Sequence, residues 1–76
     1  MISKKIFAER LTDLRKQKSF TMKELATTIN ITKAAVGNLE NEYRSPSLDT
    51  IVALADFFNV SIDYLVGRTD NPNINH

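Results

Sequence analysis

The sequence predicts an all-α domain of five short helices, and two observations carry that expectation. Apolar residues recur at three- and four-residue intervals along the chain, with no convincing strand alternation. One local pattern also occurs four times: an apolar residue, a hydroxyl side chain, and an aliphatic residue four positions after the hydroxyl. The instances are Phe20-Thr21 with Leu25, Ile31-Thr32 with Val36, Pro46-Ser47 with Ile51, and Val60-Ser61 with Leu65. A hydroxyl there can accept a free N–H of the first helical turn, while the apolar pair staples the chain's approach.

Each helix then has its own signature. Phe7, Leu11 and Leu14 lie on one face of a first helix over about residues 5–18. Met22, Leu25, Ala26 and Ile29 give a second, whose start, Thr21-Met-Lys-Glu24, is a capping box. Thr32, Ala35, Val36 and Leu39 form the inward side of a third. Leu48, Ile51, Val52, Ala55 and Phe58 mark a fourth. Ile62, Leu65 and Val66 make a short fifth, ended by Gly67 as a left-handed cap. Residues 1–68 make one domain and residues 69–76 a flexible polar tail.

Only Asn30 and Ile31 separate Ile29 from the Thr32 cap. So tight a turn calls for a residue at positive φ, which Asn tolerates well. Two short helices joined this way have the helix-turn-helix form. Small Ala26 lets the pair approach closely.

The third helix carries the functional case. Its outward side shows Lys33, Ala34, Gly37, Asn38 and Asn41: no acid, one cation, two amides and two residues with little or no side chain. A mid-helix glycine costs about 1 kcal/mol against alanine, so Gly37 calls for close approach to something. A DNA major groove fits. Lys can donate to guanine, Asn can pair with adenine, and Ala can touch a thymine methyl.

Composition is compatible with this. Net charge is +1, but residues 1–46 hold nine basic against five acidic residues, and residues 47–76 hold one against four. A basic half can face a polyanion while the acidic half is kept off it. With no cysteine, disulfide scaffolds and thiolate chemistry are excluded. The longest apolar run, Ile51 to Ala55, is far short of a membrane span, and the N-terminus has no signal-peptide pattern. The expected location is the cytoplasm. The one histidine, His76, lies in the polar tail, and no phosphate-cradling loop, metal-ligand cluster or nucleophile–base pair exists. Neither enzyme activity nor a metal, cofactor or small-molecule ligand is expected.

These residues resemble the Cro/CI-type helix-turn-helix repressors, the xenobiotic-response-element family. Arg10-Leu11-x-x-Leu14-Arg15-x-x-Lys18 and Thr21-x-x-Glu24-Leu25-Ala26 are similar to its first two helices. Ile31-Thr32-x-x-x-Val36-x-x-Leu39-Glu40-Asn41 is similar to its recognition helix. Arg44-Ser45-Pro46-Ser47-Leu48-x-Thr50-Ile51-x-x-Leu54-Ala55 and Val60-Ser61-Ile62-x-x-Leu65-x-Gly67 resemble the remainder. The resemblance covers about residues 6–68 in order and spacing.

It implies a five-helix, lambda-repressor-like domain that binds a pseudo-palindromic duplex DNA operator as a homodimer and represses transcription. By motif position it implies base reading by Lys33, Ala34, Gly37 and Asn38. It implies phosphate contacts by Thr21, Met22, Lys23, Asn41, Tyr43, Arg44 and Ser45, and an internal ion pair between Arg15 and Glu40. Three residues depart from the pattern. Met22 replaces a common Gln and cannot bind phosphate as Gln does. Asn30 replaces a turn Gly. Glu42 replaces a Gly and brings an acid to the expected backbone-gripping loop.

A single recognition helix reads too few base pairs for a specific site, so two copies are expected about 34–36 Å apart. The expected contacts are Phe57, Val60, Tyr64 and Val66, on the fourth and fifth helices. The alternative is an antitoxin-like or regulatory protein of the same fold acting through a protein partner, with Phe57 as an exposed aromatic for that partner.

Overall fold

The computed structural model describes residues 3–74. Among them are five helices: α1 Lys4–Gln17, α2 Met22–Ile29, α3 Lys33–Glu40, α4 Leu48–Phe58 and α5 Ile62–Leu65. There is no strand among the described residues. No helix is long and apolar enough to cross a membrane.

Every helix begins on a hydroxyl. Thr21, Thr32, Ser47 and Ser61 accept from the amides of Glu24, Ala35, Thr50 and Tyr64 at 3.0–3.1 Å. Ser3 does the same for α1 through the amide of Ile6, a cap that sequence reading did not identify. At Thr21 the box is complete, because Glu24 Oε1 accepts the Thr21 amide at 2.9 Å.

The ends of α2 and α4 are made by left-handed asparagine. Asn30 and Asn59 take left-handed φ of 61° and 55°. The residue after each folds back, Ile31 to the Ala26 carbonyl and Val60 to that of Ala55. Gly67, at φ 87°, follows α5, and a Cβ there would meet Ile6 Cγ2 at 2.9 Å. Both the backbone angle and the packing require glycine at this position.

One core joins all five helices, centred on Phe7, Leu11, Leu25, Val36, Leu54 and Leu65. α2 packs on α3, α1 on α3 and α5, and α4 on α5 and α2. Three expectations need correction. On α4 the buried stripe is Ile51, Leu54, Ala55 and Phe58, while Leu48 is 71% and Val52 39% exposed. Thr32 is exposed rather than inward, since its hydroxyl serves the helix start. Ile62 is 42% exposed, leaving Leu65 as the buried anchor of α5.

The C-terminal residues follow a defined course. Arg10 on α1 donates to the carbonyls of Tyr64 and Thr69 and to Asp70. The Ser61 amide donates to the Pro72 carbonyl at 2.9 Å. Residues 69–74, read from sequence as a free tail, thus lie against α1 and α5. His76 falls outside the described residues.

Candidate nucleic-acid interface

α3 is set from behind by one ion pair. Arg15 Nε donates to Glu40 Oε2 at 2.7 Å, and Nη2 to Oε1 at 3.0 Å. Arg15 Nη1 also donates to the Phe20 carbonyl at 2.8 Å, and Thr12 Oγ1 donates to Glu40 Oε1 at 3.1 Å. The pair is mostly buried, with side chains 13% and 4% exposed. Hydrogen bonding to Glu40 raises the Arg15 pKa above its ordinary value. Burial pulls it down, and the carboxylate's charge adds to the rise.

The front of α3 faces outward. Lys33 and Ala34 are exposed, and Gly37 and Asn38 half-buried. A Cβ built at Gly37 meets nothing within 4 Å, so glycine here is not required by internal packing.

The loop after α3 is wound onto that helix. The Asn38 carbonyl accepts the amides of Tyr43 at 2.9 Å and Arg44 at 3.4 Å. Asn41 Nδ2 donates to the Gly37 carbonyl at 2.8 Å, so half of that amide is committed to the helix end. Tyr43 is 75% exposed. Among the described residues, Lys23, Lys33 and Arg44 have no acid within ion-pair distance.

These elements form one open cleft of about 330 Å³. It unites Ala34 and Asn38 with Arg44 and Ser45, and with Ser47 and Thr50 at the start of α4. Ser47 and Thr50 escaped the sequence reading as site residues, although the Ser47 cap marked where α4 would point at the cleft. Thr21 and Lys23 lie elsewhere, on the exposed start of α2, and Lys23 borders a separate hollow with Phe20 and Thr27.

Met22 is half-buried and its side chain packs against the core. Glu42, at φ 66°, lines a hollow with Glu9, Thr12, Asp13 and Glu40 on the α1 side. Its acid therefore belongs to that acidic flank and not to the Asn38–Arg44 cleft.

The expected self-association residues are largely engaged within the molecule. Val60 is buried in the core. Phe57 packs on Phe20 and Phe58 with ring centroids 5.3 and 4.9 Å away, and Lys18 lies over it. It closes the core and is not a free partner-binding aromatic. Arg10 covers the Tyr64 ring at 4.2 Å. Val66 is half-buried against the core.

Comparison with known proteins agrees with this architecture. Residues 11–65 match the helix-turn-helix family HTH_3. The chain is 43% identical over 67 residues to the HTH-type transcriptional regulator YobD of Bacillus subtilis, covering 88% of this chain and 60% of that protein. It thus spans little more than half the length of that relative. Among solved structures, the restriction-modification controller protein C.AhdI of Aeromonas hydrophila aligns with a TM-score of 0.75 at 29% identity, over 82% of this chain and 94% of that one. The P22 c2 repressor aligns at 0.77 and 23% identity, over 80% and 92%, and shares the fold. From its matched span and its helix order, the chain belongs to the HTH_3 helix-turn-helix family, the Cro/CI-type group of transcriptional regulators that its sequence resembles.

Proposed function

We propose that the chain binds a specific pseudo-palindromic operator in duplex DNA as a homodimer and represses transcription by occupying it. The observation that carries this reading is the outward side of α3: acid-free, sterically open at Gly37, and continuous with the Arg44–Ser45 loop. Lys33, Ala34, Gly37 and Asn38 face base edges. Thr21, Lys23, Asn41, Tyr43, Arg44 and Ser45 grip the sugar–phosphate walls. The P22 c2 repressor, which shares the fold, is seen with a synthetic operator, and the same docking is our reading here.

The homodimer, which paired half-sites call for, is proposed through α4 and α5. Exposure favours Leu48, Val52 and Ile62 over the engaged Phe57, Tyr64 and Val60. Val66 is half-buried against the core.

Selection of bound fragments from random duplex DNA, followed by titration of the selected site, tests the function. Specific binding should weaken steeply with salt, each neutralised phosphate contributing about −0.9 to the slope of log K against log salt. A flat titration, or no enriched sequence, would overturn it.

A further inference from the structure

α5 is too short to hold itself. It is a single turn of four residues, and isolated helices under about 12 residues are marginal even in favourable sequences. Leu65 is its buried anchor, while Ile62 is 42% exposed. Its start also lacks half of a capping box. Ser61 Oγ accepts the Tyr64 amide at 3.0 Å, as Thr21 Oγ1 accepts that of Glu24 in α2. In α2 the Glu24 carboxylate returns the contact by accepting the Thr21 amide. In α5 the equivalent position is Tyr64, whose phenol cannot fold back to its own helix start.

The residues after α5 supply the missing acceptor. The chain turns back towards the start of the helix, and the Pro72 carbonyl accepts the Ser61 amide at 2.9 Å. The Asn71 amide donates to Thr69 Oγ1 and the Asn73 amide to Asn71 Oδ1, at 3.2 and 3.0 Å, which shapes the return. Arg10 on α1 fastens the other end. One guanidinium nitrogen donates to the Tyr64 and Thr69 carbonyls, and the other donates to Asp70 Oδ1 at 2.8 Å. The same guanidinium lies over the Tyr64 ring, with the side chain 16% exposed. Both ends of α5 are thus tied to the segment that follows it.

We propose that α5 and residues 69–74 form a latch that opens as one unit, at less cost than global unfolding, with Arg10 as its positioning residue. Opening frees the Ser61 amide and the Tyr64 and Thr69 carbonyls together and uncovers Leu65. α1 stays joined to α3 meanwhile, because Thr12 and Arg15 hold Glu40 independently of the latch. The latch stands whether or not the DNA-binding reading above holds.

Native-state hydrogen exchange of the full chain, followed residue by residue by NMR, tests this. The Ser61, Leu65 and Arg68 amides should share one opening and exchange faster than those of Leu14 and Leu54. Arg10→Ala should speed the Ser61 amide, which Arg10 does not touch, at least about tenfold. Pro72→Gly should speed it about two- to fivefold by freeing the open segment. Thr21→Ala weakens a cap outside the latch. It should speed Leu14 and Leu54 about fivefold and leave Ser61 as it was. Should Arg10→Ala fail to fold, Pro72→Gly, at an exposed position, decides the matter. A Ser61 amide that exchanges with Leu14 and Leu54 in the wild type, or follows them in Thr21→Ala, overturns the separate unit. A Ser61 amide unmoved by Arg10→Ala or by Pro72→Gly overturns the latch.

Discussion

Arg15 and Glu40 meet side-on through two hydrogen bonds, Nε to Oε2 at 2.7 Å and Nη2 to Oε1 at 3.0 Å, and so bolt α1 to the last residue of α3. Glu40 is only 4% exposed, so removing its charge strands a cation that little water can reach. Glu40→Gln should cost about 3 kcal/mol of stability and weaken operator binding, because the outward side of α3 is aimed by this contact. Urea denaturation and DNA titration read the two effects. If both stay at wild-type values, the pair does not aim the helix.

Gly37 separates fold from function. With nothing within 4 Å of its Cβ direction, Gly37→Ala should stabilise the free protein by up to about 1 kcal/mol. Gly37→Leu should fold and yet lose tight DNA binding through bulk in the groove. Thermal melts beside affinities make the comparison. A Leu variant that binds like wild type would place some other surface on the DNA.

Asn38 and Arg44 border the same cleft but should act differently on DNA. Asn38→Ala should cost roughly 1–3 kcal/mol on the preferred site and relax preference at one or two positions. Arg44→Ala should weaken all sequences alike and make the salt slope shallower by about 1. Affinities over a panel of single-base operator variants check this. The reverse pattern would reassign reading and grip.

Glu24 should leave a mark on acid stability. Hydrogen bonds from the Thr21 backbone and side chain hold its carboxyl below the ordinary value of 4.5. A depressed folded pKa means its contribution is fully present above the unfolded value and is lost as pH falls through the folded one. Glu24→Gln retains an acceptor for the capping box but cannot titrate. Its stability should therefore fall less than that of the wild type between neutral and acid pH. Equal losses in urea melts along the pH series would contradict this.

Glu42 holds a left-handed φ of 66° beside Glu9 and Asp13. Glu42→Gly should add about 1 kcal/mol by relieving the Cβ, whereas Glu42→Ala removes the charge but keeps the strain. Denaturation of the two variants separates the causes. A gain in the alanine variant equal to that in glycine would assign the effect to charge alone.

The helix starts were legible because capping is local: a hydroxyl and its third neighbour suffice at Thr21, Thr32, Ser47 and Ser61. The buried side of α4 was not. Leu48, Ile51, Val52, Leu54, Ala55, Phe57 and Phe58 surround that helix on most sides. Only its neighbours α2 and α5 decide which of them go inward. The course of residues 69–74 was illegible for the same kind of reason. Their composition is polar, and their partner Arg10 lies 60 positions away from Asp70. The α3 surface was readable because it is defined by what it lacks, namely acids and bulk. The packing of Met22 was not legible from motif position, because only the folded core shows that its apolar chain is drawn inward.

No hydrogen bond or ion pair holds the Lys33, Ala34 or Asn38 side chain among the described residues. The fold therefore draws little on these side chains, and under the function proposed above that surface is an exchangeable reading head. Replacing those three side chains should redirect the chain to a different operator while its melting temperature barely moves. New targets could then be acquired one base position at a time, with Arg15, Glu40 and the caps as the unchanging handle.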